Sequence, residues 1–465
     1  MKLFQRKNVY DVIEGTKNEH KVRSLKTFDL VLLTIGTVIG TGVLVLPGVV
    51  AATTAGPSEI LSYIIAGIAS IFVVFCYSEF ASSIPTAGGS YSYIYVSMGK
   101  FFALIAGASV LLGYILILGF VSNGWAAYFD SFLEMFGVKL PFALTHIPTE
   151  GGIVNLPAII VVLLMTLLLS KGTKDSKKIN NLMVLIKVLV ILIFIIVGVF
   201  YFDASNLSDF FPMGVGGTLH GAAILFLAYS GFDVTASAAE ETIDPQKTIP
   251  KALILSIFAC ITIYSLVSLI LTAMVPYNLL NQPDALSYAL LKVGQTIPAS
   301  LLSLGAIIGI LAIIFAVCFG CSRILANASK DDFIPKAFAK ENKNGVPIVS
   351  LWFLGIVGSI LGGFININVL SNTATLALLF VYLMVCIALI VFRKTDPDFK
   401  RSFKTPLVPL IPILGVLCCG YLMIQIPYEN WIYFVIFVIV ALLLQLIYLK
   451  FKEKRKHSEK LHNEN

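Results

Sequence analysis

Apolar runs of about twenty residues recur along the whole chain, separated by short polar connections. Twelve can be marked, near 28–54, 58–84, 99–128, 154–171, 179–202, 217–240, 250–275, 297–323, 347–366, 369–392, 405–426 and 430–450. A helix needs about 20 mostly apolar residues to cross a bilayer. The pattern therefore predicts an all-α integral membrane protein with twelve transmembrane helices. Residues 1–27 read as an N-terminal tail, 28–450 as one membrane domain and 451–465 as a basic tail. The longer connections near 129–153 and 276–296 leave room for short helices outside the spans. The polar start MKLFQRKNVYDVIEG is not a cleavable signal, so the first span is expected to act as the insertion signal.

Two runs are interrupted midway. The first contains Gly36, Gly40 and Gly42, with Pro47 and Gly48 one turn later. Each glycine weakens a helix by about 1 kcal/mol relative to Ala. Close packing through Gly36-x-x-x-Gly40 explains one pair, but Gly40-Thr41-Gly42 predicts an unwound stretch. The sixth run carries Tyr229-Ser230-Gly231-Phe232-Asp233 at its middle, then the adjacent carboxylates Glu240 and Glu241. Interruptions five spans apart are the pattern of two inverted five-helix repeats, with a site where the breaks meet. The repeats would cover about 28–202 and 217–392, with two further helices at about 405–450.

Composition narrows the class. The 465 residues are 58% hydrophobic and 13% charged, with a mean hydropathy of +0.91. A soluble domain is about 25% charged. The net charge of +7 is not a nucleic-acid footprint. If the N-terminus is inside, all 33 Lys and Arg except Lys139, Lys187 and Lys292 fall on the cytoplasmic side. That bias predicts a multi-pass protein of a cell membrane with both termini in the cytoplasm. Lys450, Lys452, Lys454, Arg455 and Lys456 then read as an anchor facing anionic lipid. The seven cysteines lie in apolar runs, and the lone pair Cys318-x-x-Cys321 lacks the second pair or His of a metal site. The five His are scattered, so no metal, cofactor or membrane enzyme is expected.

Unwound backbone inside a membrane must be buried or line a cavity. The N–H groups of Gly40, Thr41 and Gly42, at the positive end of the next half-helix, suit a carboxylate. The carbonyls near Leu227, Ala228 and Ser230 suit an ammonium group. The pair of cradles fits the zwitterionic end of a free amino acid. Lys187 lies nine residues past Lys178 in an apolar run, about 13 Å along a helix. It either snorkels to the interface or acts as a buried proton carrier. Leu304 to Cys321 contains no Ser or Thr to bind sodium, which favours protons. Asp233 is a candidate for pairing, capping or gating, Glu79 for a structural or gating role at a helix end, and Arg323 for loop pairing or gating.

These stretches, with Ile39-Gly40-Thr41-Gly42, Ser82 to Tyr93, Lys187, Ala228 to Asp233, Ala239-Glu240-Glu241 and Ser322 to Pro335, resemble the amino acid–polyamine–organocation superfamily. The bacterial cationic-amino-acid-transporter-like permeases, branched-chain permeases among them, are most similar. The resemblance runs from about Leu25 to Tyr448. It implies amino acid transport by alternating access, with the substrate backbone held by Val38, Ile39, the glycine break and the carbonyls of the sixth span. It also implies that Lys187 occupies a sodium position and couples transport to protons.

Four positions depart from the family pattern: Leu227, Ser230, Asp332 and Gly113, the last standing where several cationic-type relatives carry Glu. A cationic side chain in a low-dielectric pocket needs a carboxylate. The expectation is therefore a proton symporter for isoleucine, valine and leucine, with threonine a close analogue. A cationic amino acid permease, an exchanger and a membrane amino acid sensor are the alternatives.

Overall fold

A computed structural model describes residues 5–18, 25–86, 88–172, 176–331 and 333–463. Asp332 and the side chains of Glu240, Glu241 and 451–463 lie outside the described set, so the tail cations from Lys452 onward and the carboxylate pair cannot be placed.

Helix occupies each of the twelve expected runs. The chain opens with α1 (Val9–Asn18), then α2 (Thr27–Val38), α3 (Thr41–Leu44) and α4 (Leu46–Val50). It continues with α5 (Glu59–Ser83), α6 (Gly89–Met98), α7 (Lys100–Met135), α8 (Phe142–Thr145), α9 (Leu156–Ser170) and α10 (Ser176–Val199). The second half comprises α11 (Gly214–Leu225), α12 (Phe232–Ser237), α13 (Pro245–Met274), α14 (Ala285–Lys292) and α15 (Thr296–Lys330). It ends with α16 (Ile348–Phe364), α17 (Ile367–Thr395), α18 (Leu410–Ile424) and α19 (Tyr428–Asn463). Among the described residues, eight helical runs are long and apolar enough to cross a membrane, and α2, α9, α16 and α18 are shorter apolar helices.

The longest of the eight, Leu46–Ser83, is helical throughout, yet it is not one straight rod. Tyr63 Oη donates to Gly42 O at 2.6 Å across 21 residues of sequence. That length of straight helix would separate them by about 31 Å. The chain therefore doubles back between them, and Gly56, at φ +64°, marks the turn. The expected first and second runs are thus separate, antiparallel rods. Sequence reading set other ends too early: the third run extends to Met135 and the eighth to Lys330. Short helices α8 and α14 fill the long connections as expected, whereas α6 was not foreseen.

The interrupted helices sit at the centre. The helices α5 and α13 pack along each other and against α2 and α11, while α7 packs against α15, α16 and α17. The outer faces of α9, α10, α16, α18 and α19 expose leucines and isoleucines such as Leu164, Leu185, Ile356, Ile424 and Leu443. Continuous apolar surface on that scale belongs against lipid.

Candidate functional site

The two interruptions meet. The α2 helix stops at Val38. Ile39 is extended (φ −72°, ψ 111°), Gly40 lies outside both regular regions (φ −165°, ψ −131°), and helix resumes at Thr41. The α11 helix tightens into a 3-10 turn at Phe226–Tyr229, Ser230 is extended and Gly231 is left-handed (φ +109°) before α12. Only glycine adopts that φ without strain. A Cβ on Gly231 would also sit 3.1 Å from Thr37 O. A Cβ on Gly42 would lie 2.5 Å from both Cα and Cβ of Ala228. Backbone meets backbone here because neither break carries a bulky side chain toward the other.

Breaking two helices frees carbonyls that cannot be left unpaired in an apolar interior. Side chains from other helices cap them. Tyr264 Oη of α13 lies 2.8 Å from Val38 O and 2.9 Å from Ala228 O, sharing its proton between the two breaks. Tyr63 Oη of α5 donates to Gly42 O at 2.6 Å, and Tyr128 Oη of α7 to Leu44 O at 2.6 Å. Thr37 Oγ1 lies 3.1 Å from Gly231 O; in the reverse direction Tyr229 Oη, within the second break, donates to Tyr63 O of the unbroken α5 at 2.8 Å. Sequence reading missed these tyrosines. The signal available was a set of phenols in the middle of apolar runs, each needing a partner when buried.

Lys187 completes the caps. It is fully buried, and its ammonium donates to Gly36 O and Ile39 O at the end of α2. A cation at a helix C-terminus is favoured by the macrodipole as well as by the hydrogen bonds. Snorkelling is therefore excluded: the side chain runs inward, toward the break. The facing helix α15 makes room with Gly309, where a Cβ would lie 2.6 Å from Lys187 Cβ.

A cavity lies between the breaks. Its wall takes Thr37, Val38, Gly40, Thr41 and Gly42 from the first, and Leu227, Ser230, Gly231 and Val234 from the second. Tyr114, Ile117, Phe120 and Val121 of α7 and Ile313 and Val317 of α15 close it. Two expected residues are not in the wall. The Ile39 side chain is fully buried and its carbonyl faces Lys187, while Ala228 packs against Gly42 and gives its carbonyl to Tyr264. Ser230 Oγ donates back to Leu227 O at 2.7 Å. Leu227 O also accepts from Ser230 N at 3.1 Å, which engages both of its lone pairs, and the Ala228 carbonyl is held by Tyr264.

No charged side chain lines this wall. Asp233 is buried beside it, and its carboxylate accepts from Tyr114 Oη at 2.6 Å and Tyr382 Oη at 3.3 Å. Gly113 does not face the cavity: a Cβ there would meet Leu378 of α17 at 2.9 Å. The expectation that an acid at that position would reach the substrate is not supported by the geometry.

Glu79 and Arg323 stand apart from the cavity. Glu79, 1% exposed, is held by Arg393 Nε and Nη2 at 2.8 and 2.7 Å, by Thr405 N at 2.7 Å, and by Arg401 at 3.3 Å. It ties α5 to the end of α17 and the following loop. Glu79→Gln leaves two guanidiniums facing a neutral amide, and loss of a buried pair costs about 3–5 kcal/mol. The thermal midpoint of the detergent-purified protein should fall by several degrees; an unchanged midpoint would refute this anchoring role. Arg323 lies within α15 rather than at its end and stacks its guanidinium 3.8 Å over Phe319. The N-terminal tail also has a place. Lys7 pairs with Asp331 at 2.8 Å and Arg6 with Asp396 at 2.7 Å.

The sequence model of the amino acid permease family matches residues 25–443, almost the whole helical domain including both breaks. The chain belongs to the amino acid permease family of the amino acid–polyamine–organocation superfamily. The permease is 41% identical over 98% of its length to the methylthioribose transporter of Bacillus subtilis (strain 168), covering 98% of that protein. It is 37% identical to the branched-chain amino acid permease BcaP of the same organism, again over 98% of each chain. Cationic amino acid transporter 7, chloroplastic, of Arabidopsis thaliana is 34% identical over 84% of the permease and 69% of the relative. Family and fold together make the permease a multi-pass membrane protein.

Proposed function

We propose that this permease imports neutral, branched-chain amino acids by proton symport. The observation that carries the substrate class is the cavity wall, which lies between two broken helices and holds no charged side chain. Its backbone cradle accounts for an amino acid end. The first amides of the half-helix from Thr41 have no intrahelical acceptor and suit a carboxylate, while the carbonyl of Ser230, a residue of the wall, suits an ammonium. Val38, Ile117, Val121, Leu227, Val234 and Ile313 then surround an aliphatic side chain. Arginine or lysine would bring a charge to this wall, and the adjacent carboxylate of Asp233 is engaged by two tyrosines.

Alternating access follows from the architecture we infer: twelve crossing helices, two inverted five-helix repeats broken in the first and sixth spans, and both termini in the cytoplasm. The contact of Gly42 with Ala228 supports it by bringing the two breaks together. Lys187 supports proton coupling, because its ammonium takes the carbonyls that a sodium ion would otherwise use and α15 offers no hydroxyl between Leu304 and Cys321.

A second reading comes from the relative named for methylthioribose, a neutral methylthio sugar without carboxylate or ammonium. Exchange separates the two. Vesicles containing the purified permease are loaded with labelled isoleucine and challenged from outside. Isoleucine, valine and leucine should release the label, and arginine and lysine should not. No release of isoleucine by any amino acid, with labelled methylthioribose exchanging in vesicles of the same preparation, would overturn the amino acid reading, and release mainly by arginine would overturn the neutral one.

A further inference from the structure

The carboxylate of Glu59 takes no part in the site described above. It opens α5 and is 0% exposed. Its Oε2 lies 3.0 Å from Ser268 Oγ of α13, and its Oε1 has no hydrogen-bond partner among the described residues. The groups facing it are neutral. Tyr63 lies one turn along α5, with Tyr229 and Tyr264 beyond it. Ser268 is the contact from α13, whose Cys260, Lys251 and Lys247 lie two or more turns further along. His220 is the one titratable residue on α11, and Tyr277 sits in the turn that packs on residues 56–58. None of these cations is in ion-pairing reach among the described residues.

An ionised carboxylate without a cation is expensive to bury. A sodium ion needs a shell of several oxygens, and Ser268 is the one hydroxyl bonded to this carboxylate among the described residues. A proton fits with less. A protonated Oε2 donates to Ser268 Oγ, and Oε1 becomes a carbonyl oxygen, the less costly atom to leave unpaired.

We propose that Glu59 is a proton-binding site, protonated in this conformation and ionised when the end of the α5–α13 pair opens to water. Binding adds one proton to the carboxylate and breaks no other bond. The geometry links the group to the breaks. Residues four apart share a helix face, so Glu59 and Tyr63 align on α5 as Ser268 and Tyr264 align on α13. The Glu59–Ser268 contact forms one rung. One turn inward, the Tyr63 and Tyr264 rings pack 5.4 Å apart, and their hydroxyls cap Gly42 O, Val38 O and Ala228 O. A charge appearing at the outer rung acts one turn from the phenols that hold both breaks. Its part in the cycle rests on the transport reading; its protonation does not.

The test uses the full chain in vesicles. At about pH 8 exposed carboxylates are ionised, so the infrared carbonyl band of a protonated carboxyl should remain in the wild type and vanish in Glu59→Gln. Ser268→Ala keeps the acid and should shift that band to the position of a carboxyl without a hydrogen bond. Identical spectra in wild type and Glu59→Gln would overturn the proposal. In isoleucine exchange, wild-type rates should fall about tenfold per pH unit above the titration of one group, and Glu59→Gln should be flat over that range. Superimposable pH profiles would overturn the role in the cycle. Exchange absent from both proteins would count against the transport reading, with the infrared result still deciding Glu59.

Discussion

Lys187→Met reduces concentrative uptake to the equilibrium level. The ammonium donates to two carbonyls at the end of α2, Gly36 O and Ile39 O. Hydrogen bonds to a charged group contribute about 1.5–3 kcal/mol each. In the proposed mechanism the carbonyls are held when the lysine is charged and released when it gives up its proton, which couples the geometry of the break to protonation. Methionine fills a similar volume beside Gly309 but can do neither. Uptake driven by a proton gradient should therefore fall to background, while exchange of internal for external isoleucine should be less affected, because exchange needs no net proton movement. Full accumulation by Lys187→Met would remove the lysine from the coupling mechanism.

Gly42→Val should abolish both uptake and exchange, a loss of more than about 100-fold if the cost exceeds ~3 kcal/mol. The reason is steric. Even the first carbon of a side chain would come within 2.5 Å of the Ala228 Cα, and that atom is backbone, unable to rotate away. The two breaks would have to separate, taking with them the Tyr264 hydroxyl that bridges Val38 O and Ala228 O. Gly42→Ala meets the same obstacle with less bulk and should retain a fraction of the activity. Exchange by Gly42→Val at the wild-type rate would show that the contact between breaks is not needed for transport.

Much of this site was legible in the chain because the signals were local. Three glycines within seven residues of an apolar run, and Ser230-Gly231-Phe232-Asp233 in another, can be read without knowing any partner. Lys187 stood out as a single charge in an apolar run, but the run alone left snorkelling open, and its place at the first break was implied by the family resemblance. What could not be read depends on distant partners. Tyr63, Tyr128 and Tyr264 look like apolar filler, since nothing near them in sequence shows that their hydroxyls meet carbonyls of another helix. Glu79 meets Arg393 across 314 positions, so its anchoring role is invisible locally. Glu59, next to Ser58 and Pro57, reads as an ordinary acid at a helix start, because burial is a property of the packed bundle. Gly113 misled for the converse reason: its position in the run is clear, but which neighbour it faces is not.

The most direct test is accumulation of labelled isoleucine in vesicles containing the purified wild-type permease, with an inward proton gradient imposed and sodium replaced by choline. The account predicts internal isoleucine above the external concentration, collapsing when a protonophore is added, and competition by valine but not by arginine. Accumulation that requires sodium, or a proton gradient that concentrates no amino acid, would contradict it.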